Sequence, residues 1–152
     1  MRTLGLRVSP TEVTFCIFDS DENRIINVEE VCIPNALETP EKLKYVRATL
    51  LDILREFKVE KAGIRLSEPT ARQVSIERVQ IEGVIQETFA SSTLKAHYQG
   101  AITTIASKLQ ITKTKVKSLI KNEEDYAEVN DWGAFSDKER EAILVAKGAV
   151  NV

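Results

Sequence analysis

The sequence has 152 residues, which suits one domain, because a chain of this length buries about 70% of its unfolded surface in a core. Hydrophobic residues at 43% and charged residues at 29% are ordinary for a globular protein. The formal net charge of −2 excludes nucleic-acid binding by bulk positive charge, so any such binding would need a local basic patch. We therefore expect a single domain over residues 1–152.

Cysteine usage and hydropathy favour a reduced, cytoplasmic protein. Cys16 and Cys32 both lie in apolar, strand-like runs, where a free cysteine behaves as a small buried hydrophobe. His97 is the single histidine, so a zinc site of cysteine and histidine ligands lacks partners. The N-terminus does not follow the order of a signal peptide, and no apolar run approaches the length of a membrane-spanning helix. We therefore expect no contact with a membrane.

The first third of the chain predicts an antiparallel meander of three strands. Arg2–Val8 is the first strand, and Glu12–Asp19 follows a tight turn with apolar residues at strand period. A polar turn over residues 19–23 then leads into Arg24–Ile33, which is rich in β-branched residues. Because both connections are short, neighbouring strands are expected to pair antiparallel.

A crossover helix and a fourth strand are predicted next. Thr39 suits the N-cap, Pro40 the first helical position and Glu41 the positive end of the helix. Apolar residues then recur at steps of three and four over residues 43–57, which gives the helix one apolar stripe. Val59–Leu66 follows as a short strand, so the helix joins two strands as in a βαβ unit.

The rest of the chain alternates between helices and strands. A second helix fits Gln73–Ala90, in which Gly83 is expected to permit close packing against a neighbour. A fifth strand fits Thr93–Tyr98, and short helices fit Gly100–Leu109 and residues 116–120. The element order is therefore βββαβαβα, with an extra helical piece before the last helix.

An acidic loop over residues 123–135 precedes the last helix. Trp132 lies in this loop, and we predict that it closes the core as a lid rather than anchoring a partner. Ser136 and Glu139 have the spacing of a capping box, in which each side chain bonds the backbone of the other residue. A terminal helix is therefore predicted from this box to about Ala149.

This order of elements resembles the ribonuclease H-like superfamily, and three segments are similar to its RuvC branch of junction-resolving endonucleases. Gly5–Pro10 resembles the first-strand motif Gly-x-Asp-x-Gly. Ala62–Arg65 resembles the fourth strand, where the family has Glu after an apolar pair, and Lys138–Ile143 resembles the start of the last helix with its Asp-x-x-Asp. The resemblance implies an α/β domain with a mixed five-stranded sheet flanked by helices.

The resemblance also implies that the catalytic carboxylates are missing. Such nucleases need about four carboxylates around two divalent metals, which activate the attacking water and stabilise the leaving oxygen. The matching positions in this sequence are Arg7, Arg65, Lys138 and Glu141, so a single acid remains. Three cations would repel a divalent metal. We therefore expect a catalytically inactive domain, with no catalytic residues and no cofactor, that acts in binding or scaffolding.

Two alternatives stay open. A divalent-metal-dependent nuclease would need relocated carboxylates, for which Glu68, Asp137 and Glu141 are the candidates, and would use Mg²⁺ or Mn²⁺. A protein-interaction module would bind a protein partner or form a homodimer without binding nucleic acid, since the RuvC branch often pairs through its helices.

Seven cations are candidates for contact with an anion or with DNA or RNA. In the implied fold, Arg7 and Arg65 lie close together, where they either bind phosphate or pair with Glu141. Residues 89–122 contain no Asp or Glu and carry a basic strip, which either contacts a nucleic-acid backbone or is a solvated face balanced by the acidic loop. The basic strip consists of Lys108, Lys113, Lys115, Lys117 and Lys121.

Overall fold

The computed structural model describes residues 1–152 and contains one five-stranded sheet in the order β3-β2-β1-β4-β5. The strands are β1 (Arg2–Val8), β2 (Glu12–Asp19), β3 (Arg24–Cys32), β4 (Lys61–Arg65) and β5 (Ala96–Gly100). The first three form an antiparallel meander, whereas β4 pairs parallel with β1 and β5 pairs parallel with β4. The sheet is therefore mixed and five-stranded, as the sequence predicts.

Five α-helices follow the predicted order. They are α1 (Thr39–Glu56), α2 (Ile76–Ser91), α3 (Ile102–Leu109), α4 (Lys113–Ile120) and α5 (Asp137–Gly148), and two short 3₁₀ helices cover Trp132–Ala134 and Ala149–Asn151. The extra helical piece before the last helix is α4. None of the helices combines the length and the apolar character that crossing a membrane requires.

Hydrophobic side chains form a core on each face of the sheet. One core joins β1 and β2 to α1 and α2, and the other joins the opposite face to α3, α4 and α5. Every residue of α5 from Arg140 to Gly148 is buried, because this helix packs directly on the sheet. Gly5 of β1 permits that contact, since a Cβ at this position would collide with the backbone of Ala142 and Ala146.

Trp132 and the capping box agree with the sequence predictions. The Trp132 side chain is fully buried, and its indole Nε1 donates a hydrogen bond of 2.9 Å to the carbonyl oxygen of Leu119. This residue therefore closes a core, as predicted. Ser136 and Glu139 form both hydrogen bonds of the capping box at the start of α5.

Several predicted element boundaries are wrong; the fourth strand, for example, covers Lys61–Arg65 rather than Val59–Leu66. The N-cap of α1 is Glu38 rather than Thr39, and no side chain caps that helix. The second helix begins at Ile76 rather than at Gln73, because the Ser75 hydroxyl caps it by accepting a hydrogen bond from a backbone N–H. The fifth strand covers 96–100 rather than 93–98, since its parallel register with β4 decides which residues pair.

Two predicted environments are also wrong. Gly83 lies on an exposed part of α2, where nothing within 4 Å would meet an added Cβ, so it does not permit close packing. Cys16 is buried as predicted, but Cys32 is exposed because it ends β3, which lies at an edge of the sheet. In both cases the sequence pattern did not reveal that the residue faces solvent.

Candidate functional site

Arg7 and Arg65 lie side by side at the carboxyl ends of two parallel strands. Parallel pairing of β1 with β4 places the two residues opposite each other in register. α5 then brings Glu141 to both: Arg7 Nε donates to one carboxylate oxygen, and Arg65 Nε lies 3.5 Å from the other. One terminal nitrogen of each arginine donates to the carbonyl of the residue that follows it. Both guanidinium groups are thus held by Glu141 and by their own strands.

Two further glutamates and a third arginine extend this arrangement. Glu68 Oε1 lies 3.1 Å from Arg65 Nη2. Glu82 of α2 accepts a hydrogen bond of 2.9 Å from Arg78 Nε and another of 2.9 Å from the Ser67 hydroxyl. We call this group the arginine–glutamate cluster, and it consists of Arg7, Arg65, Arg78, Glu68, Glu82 and Glu141.

The arginine–glutamate cluster is largely removed from solvent. The exposed fraction of the side chain is 8% for Arg65, 10% for Glu141 and 5% for Glu82. Burial lowers the pKa of Arg78, and the positive charge of Arg7 lowers that pKa further. Arg65 Nε and Arg78 Nη2 are buried without a hydrogen-bond acceptor in the protein. The cluster therefore contains three cations and three anions, but two of its nitrogen donors have no hydrogen-bond acceptor.

Lys138, the fourth matched position, lies outside this cluster. Its ammonium group contacts Glu12 at the start of β2, although Lys138 is only three residues before Glu141 on α5. The structure therefore brings together three of the four matched positions, namely Arg7, Arg65 and Glu141.

The donor set around Glu141 does not fit the divalent metals that the fold family implies. Both carboxylate oxygens of Glu141 face guanidinium groups, which carry no lone pair for a cation. No group of three or more His, Cys, Asp or Glu side chains in the chain is arranged to hold a metal ion. Of the acids considered for a relocated site, Glu68 and Glu141 both contact Arg65, whereas Asp137 pairs with Arg140.

The basic strip divides between two helices. Lys113, Lys117 and Lys121 recur every four residues along α4 and its C-terminal end, and all three are exposed. Lys115 Nζ lies 3.7 Å from a carboxylate oxygen of Glu124 in the acidic loop. Lys108 belongs to α3 and points elsewhere, with its Nζ 6.0 Å from the centre of the Tyr98 ring. The lysines with free, exposed charge are therefore those in the row on α4.

A cleft of about 520 Å³ lies between the arginine–glutamate cluster and this row of lysines. Residues 66–70 after β4 form one wall, residues 101–104 at the start of α3 form the other, and Lys113 also lines it. Glu68 lines the cleft and contacts Arg65, so the cleft adjoins the cluster directly.

The sequence predictions missed Arg78, Glu82 and the cleft. An acid four residues after an arginine in α2 was the available signal for the pair, because such residues share a helix face. The signal for the cleft was the polar segment Ser67–Thr70, which ends the apolar pattern of a parallel strand. Ligands of α/β proteins bind outside the carboxyl ends of such strands.

Comparison with known proteins assigns the fold. No protein-family model and no curated protein matches this sequence. Among solved structures, RuvC from Thermus thermophilus matches with a TM-score of 0.66 over 97% of this chain and 92% of that chain, at 12% identity. T. thermophilus RuvC in complex with a Holliday junction substrate matches with a TM-score of 0.65 over the same shares, at 14% identity.

The yeast mitochondrial Holliday junction resolvase Ydc2 is similar as well. It matches with a TM-score of 0.62 at 14% identity, over 99% of this chain and 78% of that chain. Together with the order of the strands in the sheet, these similarities show that the chain has a RuvC-like, ribonuclease H-like fold. The fold predicted from the sequence is thereby confirmed.

Proposed function

We propose that this chain is a non-catalytic RuvC-like domain that binds the phosphate backbone of a nucleic acid. The contact of Arg7 and Arg65 with Glu141 at the ends of β1 and β4 supports the non-catalytic part of the proposal, and the row of exposed lysines on α4 carries the binding part. In the resemblance set out above, both arginines occupy positions where a nuclease needs a carboxylate. The guanidinium groups at this place therefore disfavour divalent metals.

The row of lysines on α4 supports contact with a nucleic-acid backbone. With a rise of about 1.5 Å per residue, Lys113, Lys117 and Lys121 are spaced roughly 6 Å apart along one side of the helix. All three are exposed, and none of them forms an ion pair within 4 Å. Because the whole chain carries a net charge of −2, attraction of phosphates is concentrated on such local patches.

A four-way junction is the first nucleic acid to test. One of the similar structures is T. thermophilus RuvC with a Holliday junction substrate, and another is a Holliday junction resolvase. We infer from these neighbours that branched DNA is a suitable probe for this chain, with duplex DNA, single-stranded DNA and RNA as the comparison ligands.

The binding experiment uses Lys117→Glu/Lys121→Glu. Fluorescence anisotropy with a labelled junction at low salt should show binding by the wild type and at least about tenfold weaker binding by the variant. Loss of two phosphate contacts should also reduce the slope of log K against log salt by about 2.

The matched control is Lys42→Glu/Lys44→Glu on α1, which changes the net charge equally on another helix. It should bind with nearly the affinity of the wild type. Wild-type protein that shifts no nucleic acid at low salt would rule out the proposed function.

The absence of catalysis is tested with Mg²⁺ and Mn²⁺ on wild-type protein. We expect no cleavage of the junction and no change in the thermal unfolding midpoint, because guanidinium groups face both oxygens of Glu141. Ydc2 serves as the positive control for cleavage. Metal-dependent cleavage by this chain, abolished by Glu68→Gln or Glu141→Gln, would instead support a relocated carboxylate site.

A second candidate function is a protein-interaction module, and exposed apolar residues before and within α2 favour it. The exposed fractions are 52% for Val74, 73% for Ile76 and 44% for Val79. Isolated apolar residues on a surface are common, but three close together are typical of an interface. Concentration-dependent dimerisation that Ile76→Ser/Val79→Ser abolishes, without any nucleic-acid binding, would favour this function over the first.

A further inference from the structure

We propose that the cleft between residues 66–70 and 101–104 binds a phosphodiester segment of the nucleic acid, and that Glu68 limits its affinity. This inference rests on the proposed function and names the part of the surface that the backbone enters. The volume of about 520 Å³ lies within the usual range for ligand sites, which is roughly 300–1,000 Å³.

The position of the cleft follows from the parallel part of the sheet. Arg65 at the end of β4 is in register with Gly100 at the end of β5, and the Leu66 N–H donates to the Gly100 carbonyl at 2.9 Å. The two chain segments that leave these strands are therefore joined by a backbone hydrogen bond beside the cleft, which Leu66 lines. This is the end of a parallel sheet at which α/β proteins bind ligands.

The lining groups have the chemistry of a phosphate site. Thr70, Thr103 and Thr104 contribute hydroxyl groups, and Lys113 contributes a positive charge at the start of the lysine row. Hydroxyl, ammonium and backbone N–H groups are the protein groups that contact phosphate oxygens most often. A backbone segment that leaves the cleft past Lys113 would therefore continue along α4.

Glu68 occupies the place in the cleft that would suit an anion best. Its Oε1 lies 3.1 Å from Arg65 Nη2 and accepts a hydrogen bond of 3.2 Å from the backbone N–H of Ile102. Arg65 is 92% buried by side-chain area, and its Nε has no acceptor in hydrogen-bond geometry. The carboxylate of Glu68 thus contacts one nitrogen of a guanidinium and the first amide of α3, and its negative charge repels an incoming phosphate.

The sign of the expected effect distinguishes this arrangement from a simple basic surface. Glu68→Gln keeps the shape of the side chain and its carbonyl oxygen for Ile102 but removes the negative charge. We expect the variant to bind a labelled single strand and a labelled junction about 3- to 10-fold more tightly, because removing one repulsive charge is worth up to about 1.4 kcal/mol.

Two further variants test for weaker binding to the labelled nucleic acids. Lys113→Gln and Thr70→Val/Thr103→Val should each weaken binding about 3- to 10-fold, since they remove a charge or hydroxyl donors from the cleft. The matched control is Glu41→Gln, which removes one exposed negative charge from α1 and should leave affinity unchanged. Thermal unfolding of each variant verifies that it is folded.

The outcomes separate this inference from the proposed function. If Lys117→Glu/Lys121→Glu weakens binding while Glu68→Gln and Thr70→Val/Thr103→Val bind like the wild type, the cleft is not used and the proposed function still holds. If the wild type binds no nucleic acid, both fail. If inorganic phosphate binds in a Glu68-dependent manner but oligonucleotides do not, the cleft is a site for free phosphate and the inference is overturned.

Discussion

The arginine–glutamate cluster and the lysine row on α4 are both rich in cations, but they differ in how those cations are satisfied. Arg65 and Glu141 have side chains that are 8% and 10% exposed, and each faces groups of opposite charge. Lys117 and Lys121 are exposed and form no ion pair within 4 Å. A buried charge must be compensated inside the fold, whereas an exposed charge is solvated and is available to a ligand.

This difference decides what the positive charge does in each region. In the arginine–glutamate cluster, Arg7 and Arg65 compensate the negative charge of Glu141. In the lysine row, positive charge has no internal partner and adds little to stability. The cleft lies between them and shares Glu68 with the cluster.

The largest expected effect concerns Glu141. Glu141→Ala leaves Arg7 and Arg65 without their shared carboxylate, and removing one partner of a buried ion pair costs about 3–5 kcal/mol. Chemical denaturation should show this loss in the free energy of unfolding. The control is Asp52→Ala, which breaks an exposed pair with Arg55 and should cost less than about 1 kcal/mol. Equal losses in the two variants would contradict the distinction between buried and exposed charges.

A smaller effect on stability is expected in the lysine row. Lys117→Glu/Lys121→Glu should change the free energy of unfolding by no more than about 0.5 kcal/mol per substitution, as is usual for exposed positions, although we expect it to weaken nucleic-acid binding. The free energy of unfolding should therefore respond to Glu141→Ala, and the affinity for nucleic acid should respond to Lys117→Glu/Lys121→Glu. A large loss of stability in this variant would mean that the row supports the fold.

The smallest effect is a pH dependence at a third charged pair. Lys147 is buried in α5, with its Nζ 2.9 Å from Glu128 and 4.5 Å from the centre of the Phe18 ring. The hydrogen bond from Lys147 holds the pKa of Glu128 below its ordinary value of 4.5. A carboxyl group with a lowered pKa in the folded state stabilises the protein above the unfolded pKa, and this contribution is lost as pH falls through the folded value.

Thermal unfolding midpoints between about pH 3 and 6 check this sign. The wild type should lose stability on acidification more steeply than Glu128→Gln, which cannot titrate at this position. The difference should be small, because Glu128 is 58% exposed and solvent screens the pair. Parallel curves for the two proteins would contradict the role assigned to this pair.

The sequence by itself determined the elements whose signals are local. Strand period predicted β1 and β2, and the capping box at Ser136 predicted the start of α5, because both depend on neighbouring residues. The resemblance to the RuvC branch then placed Arg7, Arg65 and Glu141 in one site, and the structure brings those three residues together.

The tertiary structure decided what depends on distant parts of the chain. Arg78 and Glu82 joined the cluster because α2 packs beside the ends of β1 and β4, and the cleft exists because residues 66–70 and 101–104 leave parallel strands at the same edge. Exposure of Gly83 and Cys32 was likewise decided by which surfaces remained uncovered. Local patterns define helices and strands, but contact between remote side chains depends on how those elements pack.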